Sequence, residues 1–179
     1  IPPASAIQIN LERPGEREFV RDQAQMLDAE AITKIKEIAD KLLTEKATPI
    51  LVVTIDSMAA CGAPDMRIET FATLLFDQWG IGVADLNGES WNTGILLLIS
   101  KGDRTARIEL GGGWGRREDG LCKKIMAEQI IYNFKQQKFS QGILAGVQAL
   151  DRMARKLSLP IKPIPASHYL LFIGFIGMA

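Results

Sequence analysis

The chain has 179 residues, enough for one ordinary domain with some length left over. Lysine and arginine number 21 and aspartate and glutamate 21, so the formal net charge is zero, with 47% hydrophobic and 23% charged residues. That balance excludes a disordered, collagen-like or coiled-coil protein, and it removes the basic excess that a nucleic-acid partner requires.

Residues 1–18 carry prolines and no apolar period, the pattern of an extended arm that packs on the domain or on a partner. A start at Ile1-Pro2-Pro3 without Met reads as a processed or trimmed terminus. From Asp28 to Lys46 the apolar positions Ile32, Ile35, Ala39 and Leu42 step by three, four and three, which marks one helix face with Asp28 as its cap. Pro49 breaks that helix. Residues 50–55 (ILVVTI) then read as a strand covered on both faces. A second helix, capped by Asp65, presents Ile68, Phe71 or Ala72, Leu75 and Trp79 and ends at Gly80 and Gly82. Residues 83–93 read as a polar loop.

Residues 94–100 (GILLLIS) form a second apolar strand, and a turn at 101–104 leads to Thr105–Leu110, which alternates cleanly. These two strands predict an antiparallel hairpin. After the glycine-rich 111–115, a third helix runs from Asp119 to Gln137 with Cys122, Met126, Ile130 and Phe134 spaced by four. A fourth, capped by Ser140, carries Ile143, Val147, Leu150, Ala154 and Leu157. The order of elements predicts an α/β layered domain with a mixed sheet, over residues 19–158.

Residues 159–168 hold three prolines and read as a stiff extended linker. The 11 residues Tyr169–Ala179 carry no charge, against the roughly 20 apolar residues that a spanning helix needs. The segment is either the start of a transmembrane helix or a short interfacial or partner-binding tail. We expect the former, with Tyr169, Leu170, Leu171, Phe172 and Phe175 meeting membrane or partner.

Chemistry has few carriers. The cysteines are Cys61 and Cys122 and the one histidine is His168, so neither a zinc site nor a Ser–His or Cys–His pair is supported. Whether the two thiols meet in a bridge is open. The hairpin places Trp91, Asn92, the glycine loop and Asp119 on one rim. That loop lacks the GK[ST] of a phosphate-binding motif and either turns the chain, cradles phosphate, or meets a metal or partner. Asp22, Asn92 and Asp119, helped by backbone carbonyls, suit a hard cation such as Ca²⁺. Arg107, Arg116 and Arg117 suit an anion such as phosphate. Residues 111–179 carry 10 basic and 4 acidic groups (+6) against 11 and 17 (−6) in 1–110, which fits two attracting faces or a basic patch.

Taken in order, several runs resemble the TPM domain family. They are Val20-Arg21-Asp22-Gln23-Ala24 with Leu27, Phe71-Ala72 with Phe76 and Trp79-Gly80-Ile81-Gly82, and the stretch Asn92-Thr93-Gly94 through Ile99. Asp103-Arg104 with Arg107–Gly111, Gly113-Trp114-Gly115-Arg116-Arg117 with Asp119, and Phe139-Ser140 with Gly142-Ile143 and Gly146-Val147 complete the set. The similarity covers about residues 19–157. It implies a three-layer α/β/α sandwich, usually exported and often followed by a membrane helix. Some members bind calcium, and the family's acidic positions fall on Asp22 and Asp119. Plant and cyanobacterial relatives are linked to photosystem repair, one branch is described as an acid phosphatase, and animal relatives are accessory subunits of membrane receptors. Trp114 and the two arginines depart from the acidic or small residues many members carry there, and a cationic loop repels a divalent ion. The resemblance thus implies a periplasmic or lumenal module, anchored by its C-terminus, that supports a larger membrane protein complex. The alternative is a divalent-metal-dependent acid phosphatase of low activity.

Overall fold

The computed structural model describes residues 7–86 and 89–160, with the backbone alone over 83–86 and 89–90. A four-stranded sheet holds β1 (Val20–Asp22), β2 (Ile50–Ile55), β5 (Ile95–Ser100) and β6 (Thr105–Leu110) in that spatial order. The first three strands are parallel and β6 is antiparallel to β5, so the sheet is mixed as predicted. Every residue of β2 and β5 is buried, which is why their sequences lack a polar face.

The helices are α1 (Ala29–Lys46), α2 (Ile68–Trp79), α3 (Arg116–Ile125), the short α4 (Tyr132–Phe134) and α5 (Phe139–Ala154). Leu97 of β5 lies 3.7 Å from where a Cβ on Gly146 would stand, so α5 covers that face. Leu97 pairs with Ile108, and the next residue, Glu109, therefore points to the other face. There it accepts from Thr73 of α2 at 3.0 Å. α1 lies beside α5, joined at one end by Ser140 donating to Asp28 at 2.7 Å and at the other by Arg155 with Glu45. Three layers result, with Ile35, Leu42, Phe71, Leu75 and Leu96–Leu98 fully buried between them.

Several details differ from the sequence reading. Val20–Asp22 is a strand. Three residues are too few to show a period, and only pairing with Val52, Val53 and Thr54 defines it. Residues 83–93 are mostly a two-stranded hairpin, β3 (Val83–Leu86) against β4 (Glu89–Asn92). The Asn87-Gly88 dipeptide between them is the usual signal for a tight hairpin, and the polar composition masked it. The third helix starts at Arg116 and passes through a π-helical turn, Met126–Ile131, into α4. A strict spacing of four rotates an apolar stripe by about 40° per step on an α-helix, and a wider turn takes up that drift. Asp28 caps α1 by accepting from Ala31 N at 2.8 Å, as expected. Asp65 does not cap α2, whose cap position is Arg67, and Ser140 lies inside α5, whose cap position is Lys138.

The arm folds back on its own domain. The Gln78 amide brackets Ile9, accepting from its N–H and donating to its carbonyl, both at 2.9 Å. Asn10 N donates to Cys61 O, and Ile9 and Leu11 are buried. Both cysteines are free and buried. Most of the linker (161–168) and the tail with Tyr169, Leu170, Leu171, Phe172 and Phe175 lie outside the described residues. Among the described residues no helix is long and apolar enough to cross a membrane.

Candidate functional site

At the carboxyl ends of the parallel strands, Asp22 closes the step from β1 to α1. Its Oδ1 accepts from Met26 N at 2.9 Å and from the Thr54 hydroxyl, and its Oδ2 accepts from Leu27 N at 3.0 Å. Asp103, in the β5–β6 turn, accepts from Ser100 Oγ at 2.6 Å and Met58 N at 2.8 Å. Those two donors, Ser100 first, hold its carboxyl below the usual aspartate range. Lys101 Nζ donates to Ala24 O at 3.3 Å across the same end.

The opposite end holds Asn92 and the glycine loop. Gly113 N donates to Asn92 O at 2.7 Å, and a Cβ on Gly111 would lie 2.2 Å from Asn92 Oδ1. Asn92 Oδ1 and Trp114 Nε1 are buried with no hydrogen-bond partner among the described residues. Thus the loop and Asn92 do share a rim.

Along the side of the sheet, between β6 and the α3–π-turn segment, runs an open groove of about 660 Å³. Ala106–Leu110 line one wall. Asp119, Cys122, Lys123, Met126, Ala127 and Ile131 line the other, with Lys135 at one end. Arg107 donates to Glu109 at 3.0 Å. Burial pushes the Cys122 thiol up to about 12, which keeps it protonated and unreactive. Lys123 and Lys135 are exposed. The sequence reading assigned neither lysine to a site, and it named Asp103 only within a run that resembles the family. The three-residue step from Ser100 to Asp103 is the local signal for the latter's role.

The structure brings Arg107 and Asp119 to one groove. Arg116 and Arg117 stand exposed in the first turn of α3, outside the residues that line it. Asp22, Asn92 and Asp119 do not meet. Asp22 is in register with Thr54 and, through it, Ile99. Asn92 precedes Ile95, so the two lie at opposite ends of strands that run about 13 Å between Ile95 and Ile99. Calcium ligands stand at about 2.5 Å from the ion. One Ca²⁺ held by all three residues does not fit this geometry, and among the described residues no three His, Cys, Asp or Glu side chains converge as a metal site.

Among solved structures, the chain is similar to the N-terminal domain of a protein from P. gingivalis, at 26% identity and a TM-score of 0.65, covering 78% of this chain and 83% of that one. The N-terminal domain of a Corynebacterium glutamicum protein matches at 16% identity and a TM-score of 0.59, covering 89% and 96%. A protein of the psychrophilic bacterium Bizionia argentinensis matches at 19% and 0.56, covering 78% and 91%. At those two identities the likeness shows the fold alone. A comparison with curated proteins found no match. The TPM domain matches residues 20–153, which runs from the first strand into the last helix. The chain therefore belongs to the TPM domain family.

Proposed function

We propose that this TPM domain is a membrane-tethered accessory module on the periplasmic or lumenal side, which docks on a larger membrane protein complex and supports its assembly, stability or repair. One observation carries the docking role. Among the described residues the mixed sheet stops at β6, whose outer edge faces an open groove rimmed by exposed Lys123 and Lys135. The tether rests on sequence: a proline-rich stretch leads into uncharged Tyr169–Ala179. By contrast, the carboxylate of Asp22 is engaged in closing the turn after β1, and that of Asp103 accepts from Met58 N in another loop. The test is purification from native membranes. The expected result is retention in the membrane fraction after a salt wash, together with a larger complex. Recovery as a lone soluble monomer overturns the reading.

A second reading, a phosphatase, is favoured by the presence of Arg107 and Asp119 in one groove. Once it exchanges its Glu109 partner for substrate, the Arg107 guanidinium suits a phosphate, and a carboxyl group suits proton transfer to a leaving oxygen. Phosphomonoester hydrolysis that is lost in Asp119→Asn supports it. An equal rate in both proteins marks a contaminant.

A further inference from the structure

We infer that the outer edge of β6 accepts an extended, acid-bearing peptide as a fifth strand of the sheet. The inference rests on the docking reading above and names its surface and the chemistry of its partner.

The backbone sets the edge. Gly111 N donates to Gly94 O at 2.9 Å, which fixes the alternation of the β5–β6 ladder. Thr105, Arg107 and Glu109 turn their peptide groups toward β5. Ala106, Ile108 and Leu110 turn theirs outward, and among the described residues no backbone bond joins those three to another segment. Edge strands are usually blunted by proline, a bulge or an inward charge. This one, Thr105–Leu110, has no proline, and its Arg107 is held by Glu109.

The groove supplies the rest. At about 660 Å³ it is the size of a ligand site, and it runs along the free edge. Its helical wall offers Cys122, Met126 and Ile131 to the side chains on one face of an added strand. Its charge favours acids. Arg107 and Glu109 neutralise each other, and Lys123 and Lys135 outnumber Asp119. Neither lysine has an ion-pair partner among the described residues. The fitting occupant carries apolar residues and acids together on the face that it turns to this wall, because Lys123 and Lys135 stand on the same side as Cys122, Met126 and Ile131. Pairing of two copies edge to edge is disfavoured, because a two-fold axis would set the lysine-rimmed grooves against each other.

The test is a titration of the full chain, isotope-labelled in detergent micelles, with a synthetic peptide that places valine and glutamate on the same face of an extended strand and with a twin N-methylated along its backbone. The expected result is shifted amide resonances at Ala106, Ile108 and Leu110, and binding about tenfold weaker for the twin. Ala106→Pro removes one outward donor without touching the β5 ladder, and it weakens binding. The double variant Lys123→Glu with Lys135→Glu weakens it about tenfold with an unchanged melting temperature. Equal binding of the twin, shifts confined elsewhere, no binding at millimolar peptide, or a dimer formed through this edge each overturns the inference. The docking reading is separable. Edge variants that keep their membrane partner sink the edge alone, and a wild-type chain without a partner sinks the docking reading while the titration still decides the edge.

Discussion

Thr54 donates its hydroxyl to Asp22 Oδ1 at 2.5 Å and accepts from the Ala24 N–H at 3.2 Å, so one buried side chain fastens β2 to both the end of β1 and the turn that follows. Thr54→Val keeps the shape and removes both bonds. It leaves the Ala24 N–H buried without a partner, and the expected cost is about 1–3 kcal/mol. Denaturant unfolding measures it as a lower midpoint at constant slope. An unchanged midpoint refutes this account of the β1 edge.

Asp103 gives stability a pH dependence with a definite sign. Its carboxyl is held below its ordinary value of 3.8, first by the Ser100 hydroxyl and then by Met58 N–H. A depressed folded value means that the contribution is fully present above the unfolded value and is lost as pH falls through the lower folded one. Ser100→Ala removes the leading donor. Water reaches this exposed carboxylate, which keeps the expected loss near neutral pH at the lower end, about 1 kcal/mol. The gap between wild type and variant should hold from pH 7 to about 5 and close below about 4. A gap independent of pH down to 2 counts against the assignment.

How much of this was legible depended on how many residues each feature needs. The faces of α2 and α5 repeat over three turns or more, and Phe71, Leu75, Trp79, Ile143, Val147 and Leu150 are buried as their spacing requires. Leu157 failed because the helix ends at Ala154, and the residue is half exposed. On α1 the buried stripe takes Ala31 and leaves Ile32 half-buried, a shift of one position that spacing alone does not resolve. The site was harder to read. Asp22 and Asp119 are acids near helix starts, and nothing local says which end of a sheet each occupies. Strand register decides that, and it depends on pairings between residues 30 or more apart in sequence. The free edge of β6 is likewise a property of strand order, not of the six residues that form it.

The two thiols provide a prediction about reactivity. Cys61 and Cys122 are buried, and burial raises both thiols, Cys122 to about 12. The thiolate is the reactive form, so at pH 7–8 neither should react with a disulfide reagent in the native protein. Both should react once denaturant is added, because both are free. Rapid labelling of one thiol under native conditions refutes the packing of that residue.

The glycine loop separates two causes that look alike in sequence. A Cβ on Gly111 would lie 2.2 Å from Asn92 Oδ1 and 2.5 Å from Asn92 O, whereas the nearest atom to a Cβ on Gly112 is 4.0 Å away. Gly111 therefore lets the loop close over Asn92, and Gly112 has room to spare. Gly111→Ala forces backbone apart at the start of the loop and should cost about 1–3 kcal/mol, while Gly112→Ala should stay within about 0.5 kcal/mol of wild type. If the loop instead existed to present its backbone to an anion, both substitutions would lower affinity for inorganic phosphate and neither need change the melting temperature. Thermal unfolding of the two variants, with and without phosphate, decides between packing and anion binding: a large loss confined to Gly111→Ala, insensitive to phosphate, is the expected outcome, and equal behaviour of the two variants overturns it.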